Sequence, residues 1–324
     1  MTTARQAQVL RRLVSRPPTV VAAAIVLIFI AMRVLPGDPL SAISGEGGGT
    51  YVLTQEQLQA ARKSLGLDRP YVVQYLDWIR DVLRGDLGKS FWRGEPIREV
   101  IVRRAPITGQ IALMAVILSW VIGLPVGLVG ALWRNSWTDY VFRLVVTLFM
   151  AIPSFWVALM IVLSLVLTLT WRPPLTIAYL WDDPVRNLQM TAGPALALGI
   201  ALAAMMARIT RSSVLGVLGE DYVRTARAKG LRERIVVWRH ALVNAMLPIL
   251  TVTGTALGAL LGGSVAVERA FGVPGLGLAL VFAVAERDWM LIQNLVLLYG
   301  VIFIVVNLVI DVSYGWFDPR IRYQ

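Results

Sequence analysis

The sequence contains no cysteine and a single histidine, His240. The first absence excludes disulfides, thiol redox chemistry, cysteine-based zinc clusters and a thiol nucleophile. The second leaves almost nothing for imidazole acid–base catalysis. Charge is scarce too: Asp, Glu, Lys and Arg make up 16% of the 324 residues, against about a quarter in soluble domains. Lysine is nearly missing, with Lys63, Lys89 and Lys229 the only three among 31 basic residues. Apolar residues fill the chain instead, at 57% of the total and a mean hydropathy of +0.67. A water-soluble core of this size cannot hide so much apolar surface, so disordered, fibrous and ordinary cytosolic classes are excluded. Lipid must be part of the solvent.

Stretches long enough to cross a bilayer, about 20 residues at a rise of 1.5 Å each, recur six times. They run over about Thr19–Leu35, Ile107–Leu132, Tyr140–Leu169, Thr191–Leu215, Ala241–Val267 and Trp289–Tyr314. The first follows a basic leader carrying Arg5, Arg11, Arg12 and Arg16. It ends in Arg33-Val34-Leu35-Pro36-Gly37-Asp38-Pro39 with no small-x-small cleavage pattern, and so reads as an uncleaved span. Between the first two spans lies a polar segment with helical periodicity in Thr54–Leu65 and Tyr71–Leu83. Tyr71, Tyr75, Trp78, Ile79 and Val82 share one face of the latter, and Gly45–Gly49 reads as a flexible connector. The expected division is a leader and first span over 1–35, an extramembrane insertion over 36–106, and a core over 107–324.

Arginine sets the orientation. The segment Arg208–His240 holds eight basic residues against Glu220, Asp221 and Glu233, while the short opposite loops are neutral or acidic. The positive-inside rule then places both termini and this loop in the cytoplasm and the insertion outside. The net charge of +11 is therefore mostly membrane topology, and no nucleic acid is expected as a partner.

Three apparent motifs have plainer readings. Gly88-Lys89-Ser90 ends like a phosphate-binding loop, but Leu83 stands where the first glycine belongs. Ser264 has no histidine base on its side of the membrane. Gly254, Gly258 and Gly262, like Gly123 and Gly127, recur every four residues and read as helix-packing surfaces. Arg143, Arg208, Glu268 and Asp311 all fall near expected span ends, which leaves no clear proton relay for a secondary transporter.

The most informative segment is Gly219–Leu231. Asp221 reads as an N-cap, Glu220 adds negative charge at the helix start, Arg227 and Lys229 add positive charge at its end, and Gly230 with Leu231 reads as a Schellman cap. So short a helix is marginal alone and needs a partner surface. Its run Arg224-Thr225-Ala226-Arg227-Ala228-Lys229-Gly230 resembles the coupling segment of permease subunits of bacterial ABC importers, in the dipeptide and oligopeptide (peptide/nickel) branch. Only Ala226 and Gly230 match the general Glu-Ala-Ala-x-x-x-Gly form.

Further matches are Leu35–Pro39, Leu65–Pro70, Arg84–Gly88, Ile152–Trp156, Glu268–Gly277 and Asp318–Arg322. The first-span ending and the long insertion resemble the B-type permease of an asymmetric pair.

The resemblance implies an all-α integral membrane protein of the type I ABC importer kind, with six transmembrane helices and a helical insertion between the first two. It implies a non-catalytic subunit of the bacterial inner membrane that forms half of a peptide pathway. Its partners would be a second permease, two ATPases that hold ATP and Mg, an extracytoplasmic binding protein and membrane lipid, with no cofactor in this chain. Loop 216–240 would couple to an ATPase through Asp221, Tyr222, Arg224, Thr225, Ala226, Lys229 and Gly230. Glu268, Phe271, Gly272, Pro274, Gly275 and Gly277 would form an outer loop that meets the binding protein. Related systems import nickel or other small solutes, and a secondary transporter is the alternative from another class.

Overall fold

In the computed structural model, which describes residues 25–31, 33, 56, 59, 63, 68–91, 93–172, 174 and 176–317, helices are joined by short connections. The described residues form no strand beyond an isolated bridge between Lys89 and Pro96. The basic leader, most of the first expected span, Gly45–Gly49, almost all of Thr54–Leu65 and the motif Asp318–Arg322 lie outside the described residues. The named helices are α1 (Tyr71–Leu83), α2 (Ile97–Leu132), α3 (Trp137–Ala151), α4 (Ser154–Leu169) and α5 (Pro184–Leu218). They continue with α6 (Asp221–Ala228), α7 (Leu242–Phe271), α8 (Leu276–Ala285) and α9 (Trp289–Phe317).

Local chemistry sets the breaks. Ser136 caps α3 by accepting from the Asp139 N–H at 3.3 Å. The helix ends at Ile152, whose extended backbone is the conformation that a following proline imposes. Pro153 then leads into α4, and the two helices meet at 95°. The stretch Tyr140–Leu169, one continuous span by hydropathy, is thus a sharply bent pair. Asp183 caps α5 at 3.0 Å from the Arg186 N–H, with Pro184 in the first turn where its missing donor costs nothing.

A π-helical segment, Val236–Ala241, leads into α7. The apolar run from Glu233 to Leu260 is long enough to span a membrane, and Gly262–Phe271 with Leu276–Ala285 forms a second pair bent by 85°. Among the described residues, four helices are therefore long and apolar enough to cross unbroken, or up to six spans if each bent pair counts as one.

The described residues divide into two compact units, one drawn from 106–278 and 302–317 and the other from 25–105 and 279–301. The first is centred on α5, which packs against α3, α4 and α7. Within its span 67% of residues are buried, against 33% for α2. The cause is side-chain size: Ala195, Ala197, Ala203, Ala204 and Ala207 are buried along α5 and let neighbouring backbones approach. Met206, Ile111 and Ile249 complete this core.

Polar ties stitch the same unit. Asn187 donates to Gln110 Oε1 at 3.1 Å and to the Ala178 carbonyl at 2.9 Å. Arg211 grips buried Asp139 with two bonds of 2.7 Å.

In the second unit Phe29, Trp78 and Leu297 form an apolar centre with Tyr75, Ile79 and Val82 around it. The expected α1 face is correct for four of its five members, while Tyr71 is exposed at 64%. Asp288 caps α9 at the Leu291 N–H (3.1 Å) and accepts the Ser90 hydroxyl. Asn294 donates to the Leu87 carbonyl at 3.0 Å.

Candidate functional site

Helix α6 has eight residues, too few to persist alone. Two of them hold it. Val223 and Ala226 lie three apart, on one helical face, and are buried with Val236 against Val217 and Leu218. The remaining surface is polar and turned outward: Asp221, Tyr222, Arg224, Thr225, Arg227, Lys229 and Gly230 are all exposed. Ala226, expected at a partner's surface, therefore faces the chain's own apolar seat.

The N-cap also shifts by one residue. Glu220 holds the cap position with no side-chain bond, and Asp221 begins the helix. Both carboxylates still sit at the positive end of the helix dipole.

The exit from α6 is built as the sequence suggests. Gly230 adopts φ +77°, its N–H bonds the Arg227 carbonyl at 2.9 Å, and the Leu231 N–H bonds the Ala226 carbonyl at 3.3 Å. These two bonds are a Schellman cap. Leu231 itself is exposed at 38% and adds no covered apolar contact. Arg227 reaches past the turn to clasp Glu233 at 3.1 and 2.6 Å. That hydrogen-bonded pairing pushes the guanidinium's pKa further up. Partial burial, with Glu220 nearby, raises the Tyr222 phenol. The helix is thus held by its buried face and pinned at its C-terminal end, with its polar face outward.

The Glu268–Gly277 loop is arranged the opposite way. Glu268 is fully buried, accepting from the Thr108 hydroxyl at 2.8 Å and the Leu278 N–H at 3.0 Å. Thr108 in turn accepts the Leu276 N–H at 2.8 Å. Phe271 packs against Gly193, where any Cβ would collide with its ring, and meets Trp171 edge-on at 6.2 Å. A Cβ on Gly275 would strike both Glu268 and Thr108. Glu268, Phe271, Gly275 and Gly277 are therefore buried within the chain, not displayed to a partner. Of the expected contact set, Gly272 is exposed and Pro274 half-buried.

The glycine stripe divides similarly. Gly254 and Gly258 lie so close to Ile310 and Phe303 of α9 that a Cβ would collide, whereas Gly262 faces open space. Gly123 and Gly127 approach Ala203, Ala207 and Thr210 of α5. Sequence reading missed Gly193 and Gly199, which receive Phe271 and Leu118, although Gly199 continues the four-residue stripe of small residues Ala195, Ala203 and Ala207.

An apolar cavity of about 430 Å³ is lined by Leu198, Leu202 and Met205 of α5 and by Ala256, Ala259 and Leu260 of α7. Among the described residues no three of His, Asp and Glu come together as a metal set.

A multi-pass helical membrane protein with a seated polar loop helix is the class that these features define. The family model described as binding-protein-dependent transport system inner membrane component matches residues 123–323, and its N-terminal counterpart matches residues 7–112. The chain belongs to this family and is an ABC importer permease of the peptide family.

A Brucella abortus (strain 2308) protein named as a peptide transport system permease is 38% identical, covering 98% of this chain and 99% of that one. A Salmonella choleraesuis (strain SC-B67) protein named as a glutathione transport system permease is 40% identical, with coverage of 98% and 99%. The solved MetNI methionine ABC transporter in an inward-facing conformation is similar in fold. It has a TM-score of 0.57 at 19% identity, covering 69% of this chain and 99% of that one.

Proposed function

We propose that this chain forms half of the translocation pathway of an ATP-driven importer of short peptides, dipeptides and oligopeptides including glutathione-like tripeptides. The observation that carries this reading is likeness over 98% of the chain to permeases named for peptide and for glutathione transport. In this reading the protein lies in a bacterial inner membrane with both termini and α6 in the cytoplasm. ATP and Mg are held by two ATPase subunits, a second permease completes the pathway, and an extracytoplasmic binding protein delivers the solute.

The outward face of α6 suits the role of mechanical link. Closure of the ATPase dimer moves α6, and its seat on Val223 and Ala226 passes that motion to the end of α5 through Val217 and Leu218. Nucleotide then biases a two-state equilibrium between inward- and outward-open forms. The chain breaks no bonds itself.

Uptake in proteoliposomes containing all subunits tests the reading. Labelled glutathione and a labelled dipeptide should enter only with ATP inside and binding protein outside. Uptake by the permeases alone, driven by a proton gradient, would overturn it in favour of a secondary transporter.

A further inference from the structure

Between α2, α3 and α5 of the first unit lies a cavity of about 190 Å³ that no step of transport described above uses. Its lining falls within 126–130, 142–147 and 207–212, three stretches described without a gap. Three arginines line it, Arg143 of α3 with Arg208 and Arg211 of α5, beside the apolar Phe142 and Val146. Among the described residues no carboxylate lines it. Asp139 lies just outside, fully buried and already occupied. Arg211 holds both of its oxygens at 2.7 Å, and the Asn135 N–H adds a bond at 3.1 Å.

Two guanidinium groups are left over. Arg143 lies 5.5 Å from the Tyr140 ring centroid, and Arg208 is exposed. Neither donates a hydrogen bond or joins an ion pair among the described residues. A guanidinium over a ring face keeps its N–H edge free to donate.

The surroundings set these charges at a membrane boundary. Trp133 and Trp137, at the turn from α2 to α3, are 59% and 81% exposed, and Tyr140 is 52% exposed. Exposed aromatics of this kind belong at the headgroup level. Past Arg143, the apolar Leu144, Val145 and Leu148 are exposed on α3. The order aromatic, cationic, apolar spans roughly 16 Å of helix and runs as a phospholipid does from headgroup to tail. Cations at this depth are costly unless they reach water or an anion.

We propose that this cavity binds the phosphate of an anionic phospholipid. Arg143 and Arg208 donate to its oxygens from α3 and α5, and the acyl chains lie along Leu144 and Leu148. Such charge-assisted bonds are roughly twice as strong as neutral ones. Two leftover cations without a carboxylate favour a headgroup of net negative charge over a zwitterionic one, whose own cation they repel. The cavity is far larger than one water needs. In the orientation proposed above this is the cytoplasmic leaflet, but the site stands without that orientation.

Thermal unfolding of the full purified chain in detergent, titrated with phosphatidylglycerol or phosphatidylcholine, tests the site. Phosphatidylglycerol should raise Tm and phosphatidylcholine should not. Arg143→Gln combined with Arg208→Gln spares the bond from Arg211 to Asp139. It should need about tenfold more phosphatidylglycerol for the same rise. Arg232→Gln combined with Arg234→Gln removes the same charge from exposed positions after α6 and should titrate as the wild type does.

Equal responses to the two lipids in the wild type, or an equal loss in the control pair, overturn the proposal. So does an equal rise with inorganic phosphate against chloride at matched ionic strength, which makes the occupant a soluble anion. A phosphatidylglycerol effect that vanishes once the second permease is present assigns the face to that subunit and overturns it too. Where the double variant fails to insert, Arg143→Gln alone, at an exposed position, should show a smaller shift in the same direction, and no shift overturns the proposal.

Discussion

Asp221–Leu231 and Glu268–Gly277 are both conspicuous motifs joined to apolar helices, and both read from sequence as surfaces for partners. They are built in opposite senses. The first buries two small apolar side chains and turns every charge outward. The second buries its carboxylate, its aromatic ring and two glycines, and leaves little outside. A motif at a helix end can thus turn its polar groups outward or close a joint inside the chain. What separates them is whether the polar groups are buried against the chain or turned outward, even though Arg227 of the first is paired with Glu233. Glu268 has Thr108 and Leu278, while Arg224 has only a stretched 3.5 Å approach to an almost fully exposed Asp221.

That contrast predicts graded effects. The largest belongs to Glu268→Ala, which strands the Thr108 hydroxyl and the Leu278 N–H in a buried site. At about 1–3 kcal/mol for each buried group left unsatisfied, thermal or denaturant unfolding in detergent should report a loss of about 3 kcal/mol. Next comes Gly275→Val, whose side chain collides with Glu268 and Thr108. Overpacking of this kind costs about 1–3 kcal/mol, read by the same unfolding measurement.

Gly230→Val should follow at about 1–2 kcal/mol for forcing a β-branched residue into the left-handed region, with Gly230→Asn milder. Its larger consequence is functional: peptide-stimulated ATPase activity of the assembled complex should fall while membrane insertion stays normal. The smallest change in stability, within about 0.5 kcal/mol, is expected for Arg224→Ala and Thr225→Ala. These should still lose ATPase coupling, and full coupling in both would erase the contrast.

Much of the architecture was legible in advance because apolar length speaks directly to lipid. The Schellman exit at Gly230 was legible too, since only glycine suits that backbone. Facing was harder. In lipid-solvated helices the outer surface is as apolar as the inner one, so periodicity loses its polar reference, and only small residues mark the buried side. That is why Gly254 and Gly258 could be found while Gly262, in the same stripe, turned out to face open space.

The inward turn of Ala226 follows from Val223, an apolar residue three positions earlier that was overlooked beside the basic ones. The break at Pro153 was written in the sequence, but an uninterrupted apolar run on both sides masked it. Burial of Glu268 had no local signal at all, because its partner Thr108 lies 160 residues away.

The contrast between the two loops is tested most directly by site-specific crosslinking, which this cysteine-free chain permits with single introduced cysteines. In the assembled transporter, Thr225→Cys treated with a cysteine-to-lysine reagent should capture an ATPase subunit, and Val223→Cys should capture none. Capture of the ATPase from Gly272→Cys, with none from Thr225→Cys in an intact complex, would contradict the assignment of α6 as the coupling surface.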